Sequence, residues 1–560
     1  MPVFVLTAAD VEKLRAISNG FGGVFTKQKK QFLQHFSKQA INDSTTLKQY
    51  HDCLLFLIAY PETSELLALA ESELKRVGEA AKQIANGKSG LKQKQLFGSG
   101  IIHTKLQAAF TFDLVKWLAN TYPKSVSFNS FGAEKDKVRE ILSLCLPVCE
   151  REVVEDSKLS IHNWIKKAKG NSPLTDLQWI IALIDNAGFA VDVKDTLYTT
   201  LALYIDVNVA ADTYSRTFGR SVTKSTFYHT DELIKKVNAL ELISKQVPLP
   251  QKTTSLQTKQ MIEVARMSLC LLYRETDPVT YTNEKEVLLF NMGRGIDICL
   301  YGIKPEKRTA IDSYIGYMAF KNGVPCAYGG GWILQDHSKI GVNIYPPFRG
   351  GESAYLFCQI LRLYHRYFNV SCISVEPYQI GKNNSEGVKS GAFWFYYKLG
   401  FRPMEAKLKQ LAEKEFALIA SQKGYRTSLN VLKQLANANL EIHIGKNTNE
   451  LIRYTSHDLG KIVTRNIAKK YEGDREVAKT KSLERMKKAL GVKSISSWTI
   501  GEQQSFKQLS LLMDAIPGIE KWNAKNKSSL LQLMKAKGGD SEIEYIRLFQ
   551  QHPELKSAFK

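Results

Sequence analysis

The sequence predicts an α+β protein, with a central mixed-sheet domain flanked by mostly α-helical N- and C-terminal domains. Three observations predict it. Residues 1 to about 255 carry apolar side chains at helical spacing. Between residues 296 and 345 the apolar pattern shortens to strand-length runs around an Asn322-Gly323 pair, a strong hairpin signal. After Pro403 the text is helical again to the end.

In the first segment, Val11, Leu14, Ile17 and the FLQHF run carry helical 3.6-type spacing, as does LLFLIAYPETSELLALAESELKRV. Pro61 interrupts that stretch, and Thr63 or Ser64 is placed to cap the helix that follows. Further helices are expected at 104–121, 135–150, 176–187, 195–205 and 229–243. Gly98-Ser99-Gly100 reads as a plain loop, since no Lys-Ser/Thr follows to make it a phosphate-binding turn. The run VPLPQKTTS has two prolines and no apolar periodicity, which marks a boundary near 255. The expected domains are 1–255, 256–405 and 406–560.

The middle segment opens with a helix near 256–273. Strands are expected at 296–303, 314–320, 324–334 and 339–345. A turn through Pro346-Pro347 then leads to a helix near 352–368, a fifth strand at 372–376, and a helix near 388–399. Gly400 stands where a helix C′ glycine belongs.

Composition narrows the field. The 560 residues are 44% hydrophobic and 24% charged, ordinary globular usage. No apolar run is long enough to span a membrane. The N-terminus lacks a basic region before its short apolar run, so it does not read as a signal peptide. None of the eight cysteines forms a CxxC pair, and no histidine cluster neighbours them in sequence. They read as buried reduced thiols of a cytoplasmic protein, with no metal site expected. Net charge is +22, which favours polyanionic partners. Twelve of those charges lie after residue 405, seven of them within 461–493, which makes 461–493 a candidate contact for RNA or DNA.

Two pieces carry chemistry. In the first, GVNIY runs through Pro346-Pro347-Phe348 into Arg349-Gly350-Gly351-Glu352-Ser353-Ala354, which opens a helix. A helix that begins in a glycine-containing turn offers unpaired N–H groups at the positive end of its dipole, where a diphosphate binds. Gly351, Ser353, Ala354 and Tyr355 are the candidate amide donors, and Gly350 and Arg349 complete the turn. The strand edge Asn343, Ile344 and Tyr345 precedes it. The second piece is Ala392-Phe393-Trp394-Phe395-Tyr396-Tyr397-Lys398-Leu399-Gly400-Phe401.

In this order, over about 120 residues, the two pieces resemble the pyrophosphate loop and the closing A-x-x-x-Y-x-x-x-G-F motif of the GNAT family of acyl-CoA-dependent N-acyltransferases. The resemblance implies an acyltransferase that moves an acyl group from acetyl-CoA or another acyl-CoA to an amine-bearing substrate. It implies that 343–345 pair with the pantetheine arm and that Tyr396 is the general acid at the thioester sulfur. Glu376, closing the fifth strand, is the candidate base, with Tyr378 and Gln379 beside the acceptor. His337 reads as solvent-exposed. Glu352 departs from the family's glycine, and its carboxylate would repel a diphosphate unless turned away. Two alternatives follow from that departure and from the basic flanks: an aminoacyl-tRNA-dependent transferase, or a non-catalytic scaffold that binds nucleic acid or protein.

Overall fold

The computed structural model describes residues 4–155, 158–210, 214–221, 225–445 and 454–558. The chain folds into two compact units. One comprises Met1–Val222, Tyr228–Asp231 and Gln260–Glu275, and the other comprises Thr223–Phe227, Glu232–Lys259 and Thr276–Lys560.

The first unit opens with helices Ala8–Ser18, Gly23–Phe36, Ser44–Ala59 and Ser64–Ala85. The third stops before Pro61. Thr63, extended, then accepts the amide of Leu66 and starts the fourth. A three-stranded antiparallel sheet follows, ordered β1-β3-β2, from β1 (Lys105–Ala109), β2 (Val126–Phe131) and β3 (Leu203–Asn208). Helices were expected over 104–121 and 195–205, but each of those stretches is part strand. Leu106 and Ala108, and Leu203, Ile205 and Val207, are buried at every second position. That is the two-residue period of a strand, read too loosely as helix. The expected helix at 229–243 shrinks to Ala239–Ser244, whose start Asn238 caps by accepting the amide of Glu241. Gly98 and Gly100 take positive φ in a loop that leads into β1, not a helix.

The second unit is built on an eight-stranded mixed sheet with helices on both sides, ordered β10-β11-β9-β8-β7-β6-β5-β4. Its strands are β4 (Thr282–Gly293), β5 (Ile296–Ile303), β6 (Ser313–Lys321), β7 (Val324–Leu334), β8 (His337–Ile344), β9 (Cys372–Val375), β10 (Arg402–Pro403) and β11 (Leu440–His443). From β4 to β8 the strands form an antiparallel meander. The β6–β7 turn is Asn322-Gly323, both at positive φ, as a two-residue hairpin of that composition requires. All eight residues of β5 are buried, so both sheet faces are covered there. The helix Ser353–Tyr367 connects β8 to β9, which lies parallel to β8. Beyond β10 the chain returns to insert β11 between β10 and β9. The sheet therefore takes a strand from past residue 405.

A second apolar core forms among the C-terminal helices, from Leu459, Met486, Phe506, Leu530, Tyr545 and Phe549. All eight cysteines are thiols, seven of them buried and Cys149 exposed. Among the described residues, no helix is long and apolar enough to cross a membrane.

Candidate functional site

The site starts from a parting of strands. β8 and β9 pair over only three positions, His337 with Cys372, Ser338 with Ile373 and Lys339 with Ser374. β8 runs on to Ile344 without β9 beside it. Prolines set this geometry at both ends. Pro346-Pro347 cannot extend the β8 ladder and instead form a 3-10 turn, Pro346–Phe348. On the other side β9 ends after four residues. Glu376 precedes Pro377 and is held extended, and the chain turns away into the short helix Pro377–Ile380.

A cavity of about 230 Å³ fills the gap. β8 contributes Val342, Asn343 and Ile344, the following turn and helix contribute Arg349 and Ser353, and the facing wall holds Gln379, Asn384, Glu386, Phe395 and Tyr396. Gln379 lies over Gly341, where an added Cβ would come within 2.8 Å of its Nε2. The glycine thus makes room for the amide that floors the gap.

Six of the residues singled out from sequence meet here: Asn343, Ile344, Arg349, Ser353, Gln379 and Tyr396. The others are placed differently. Tyr345 is buried, with its ring 5.4 Å from that of Tyr328. The N–H of Gly351 donates to the carbonyl of Phe348 at 3.0 Å, so the loop itself uses an amide expected to face an anion. Ser353 Oγ donates to the carbonyls of Phe348 and Arg349. The amides of Ser353, Ala354 and Tyr355 are the first three of the helix, which a helix leaves without intrahelical acceptors.

Glu352 does not face the cavity. Its carboxylate is buried and accepts from Lys321 Nζ at 2.7 Å, from Arg294 at 2.7 Å and from the amide of Ile234 at 3.1 Å. Burial works to raise this carboxyl, but Lys321, Ile234 and Arg294 outweigh it and hold it below its usual range. Burial also pushes Lys321 down to about 8, against the pull of Glu352. The anticipated repulsion is therefore removed, but another carboxylate takes its place. Glu386 lines the cavity and ion-pairs with Arg349 at 2.7 Å, both side chains being about half-exposed. Arg349 Nε also donates to the carbonyl of Ile344 at 3.1 Å.

Tyr396 is both core and cavity wall. Its ring packs edge-on against Phe357 and Phe401. Burial raises its phenol well above the ordinary range, partly offset by a hydrogen bond from the backbone of Val342. The group is a neutral donor at physiological pH. Tyr397 faces elsewhere, stacked on Phe393 and covered by the Arg402 guanidinium at 4.0 Å. Glu376 lies outside the cavity lining, ion-paired with Lys339 at 2.8 Å and half-exposed. Tyr378 is 60% exposed, while Gln379 reaches the cavity. His337 is half-buried rather than exposed, and burial pushes its imidazole down to about 4.

Sequence reading missed Asn384 and Glu386, which come from the polar loop QIGKNNSEG. The one local signal was Asn384 as a cap, whose side chain accepts the amide of Gly387 at 3.0 Å and starts the helix Ser385–Lys389.

The basic stretch 461–493 forms two helices, Ser456–Tyr471 and Arg475–Ala489. Asp514 draws part of its charge inward by accepting from Lys470, Arg485, Asn466 and the Tyr471 hydroxyl. Lys461, Arg465, Lys469 and Lys488 remain exposed.

No family model matches this sequence, and neither a curated protein nor a solved structure matches it.

Proposed function

We propose that the cavity where β8 and β9 part receives the thioester end of an acyl-CoA, and that the protein is a GNAT-like cytoplasmic transferase acylating an amine. The carrying observation is the parting itself. A β-strand edge free of its neighbour, a helix N-terminus and a protonated tyrosine all border one cavity. An acyl-CoA supplies an activated acyl thioester, and the rest is the work of the chain. The 340–344 edge offers backbone donors and acceptors to an extended amide-bearing arm. The amides of Ser353, Ala354 and Tyr355, with Arg349, offer charge and hydrogen bonds to a diphosphate. Tyr396 holds a proton that a departing thiolate can take. Glu376 is the group that accepts the amine's proton, through water, since it stands beside the gap and not in it. The eight thiols support a reducing compartment.

Calorimetric titration with acetyl-CoA tests this. The expected result is saturable binding that weakens about tenfold or more in Arg349→Ala, since a charge-assisted contact is worth ~1.5–3 kcal/mol. Glu386→Gln is expected to tighten binding by removing the carboxylate that competes for Arg349. No binding of acetyl-CoA or of longer acyl-CoAs would end the reading.

The engagement of Arg349 by Glu386 favours a second reading, a non-catalytic scaffold that contacts nucleic acid through 461–493. A charged tRNA as acyl donor would join the two. Either requires tRNA or duplex binding that falls steeply with salt and fails when Lys461, Arg465, Lys469 and Lys488 are changed to Gln.

A further inference from the structure

Donor atoms that lie far apart in sequence meet on one face of the second unit's sheet. His337 opens β8, and its partner on β9 is Cys372. Cys372 in turn pairs with His443 on β11. The three residues form a row across adjacent strands, a register that points their side chains to the same face. Glu441 precedes His443 by two and shares that face. The ligand atoms of His337, Cys372 and Glu441 all lie within 4.8 Å of one another. His443 Nε2 is 3.3 Å from Glu441 Oε2, while its Nδ1 is buried without a hydrogen-bond partner.

We propose that His337, Cys372, Glu441 and His443 bind one divalent ion of zinc type. Two imidazole nitrogens, a thiolate and a carboxylate form a four-donor set that zinc accepts in tetrahedral geometry. A thiolate donor disfavours magnesium and calcium, which take oxygen. Zinc bonds of about 2.0–2.3 Å require donors closer together than 4.8 Å, so binding would draw His337, Cys372 and Glu441 inward and bring His443 in beside them. Thiolate and carboxylate together balance the ion's charge. Cys372 is buried, but Glu441 and His443 keep 13% and 28% of their side-chain surface, which leaves the ion a way in. The His337–Cys372 pair is the first of the only three that join β8 to β9. A bound ion would fasten β8, β9 and β11 at the closed end of the wedge, whatever occupies its open end. The metal site is independent of acyl transfer.

The test uses the full chain carrying Cys149→Ser, so that the exposed thiol contributes nothing. After chelator treatment the protein is titrated with Zn²⁺ against a chromophoric competitor, then with Co²⁺ to seek a thiolate-to-cobalt charge-transfer band. The expected result is one ion per chain and a raised thermal unfolding midpoint on binding. Affinity is expected to fall about 100-fold or more in His337→Ala and Cys372→Ser, because loss of a mere outer partner already costs 10–100-fold. The cobalt band should vanish in Cys372→Ser. His443→Ala, at the position that keeps more side-chain surface than Glu441 or Cys372, is the variant chosen to disturb folding least, and a matched metal-free melting curve establishes that it folds. Sub-stoichiometric binding, or parental affinity in a folded His443→Ala or His337→Ala, would overturn the proposal.

Discussion

Asp297 shows how a single buried group sets a pH dependence. It lies in β5, 5% exposed, and accepts one hydrogen bond, from Asn291 at 2.9 Å. Burial raises its carboxyl to about 6. The folded state therefore holds a proton that the unfolded chain releases near pH 4. Stability from this group is fully present below the unfolded value and is lost as pH rises through 6. At neutral pH the buried charge costs up to ~3 kcal/mol, because each pH unit between the unfolded and folded values is worth about 1.36 kcal/mol. Asp297→Asn keeps an acceptor for Asn291 and removes the charge. It should raise the unfolding midpoint at pH 7 and flatten the stability profile between pH 4 and 6, as thermal melts across that range would read. Burial acts in the same direction on Tyr396, where it keeps a proton in place at the cavity. On the proposed transfer, Tyr396→Phe should lower kcat roughly 10²-fold with little change in KM. A thiol-release assay measures both, and unchanged kcat would assign the tyrosine to packing alone.

At the scale of elements, the glycine run of β7 explains itself only in three dimensions. A methyl group on Gly330 would run into the ring of Tyr314, and one on Gly331 into that of Tyr364. Tyr314 lies flat against Trp332 at 4.2 Å, and the hydroxyls of Tyr317 and Tyr364 reach the carbonyls of Gly341 and Ile315. The glycines clear a path along which aromatic rings lie on the sheet. Gly330→Ala should cost about 1–3 kcal/mol by overpacking, seen as a lower denaturation midpoint, whereas a neutral effect would show that Tyr314 swings aside. The sequence displayed the run but not its partners. Elements governed by neighbouring residues were legible, among them the Asn322-Gly323 hairpin, the helix after Pro346-Pro347, and Gly400 at φ +100° ending the Ala392–Lys398 helix. So were Arg349, Ser353 and Tyr396, which sit in local motifs. Elements governed by distant pairing were not legible. β4 begins TNEKE, too polar to announce a strand, and β11 is four residues whose warrant is its pairing with β9 and β10. The part of the wall formed by Asn384 and Glu386 was hidden for the same reason.

Across the whole molecule, the second unit depends on residues past 405. β11 supplies the edge that β9 pairs with, and Arg308, next to β5, joins Ile303 and Glu286 of the sheet to the turn that precedes the helix Glu542–Gln551. Its guanidinium donates to the carbonyls of Lys537 at 3.2 Å and Gly539 at 2.7 Å, and lies 2.6 Å from Glu542 and 3.3 Å from Glu286. Glu542 also pairs with Lys537, and Glu286 accepts from Ser541 and from the amide of Ile543. The four charged side chains are each 5% exposed or less. Removing one member of such a set strands the rest, at a cost of about 3–5 kcal/mol. Arg308→Met should therefore lower the thermal midpoint clearly. A chain ended after residue 405 should fail altogether, because it loses β11 and every C-terminal group that binds Arg308 and Glu286. The measurement is far-UV circular dichroism with a melting curve. A soluble fragment 232–405 that melts cooperatively would show that the meander from β4 to β8 carries its own stability, and that the C-terminal helices are an addition to the sheet rather than part of what holds it.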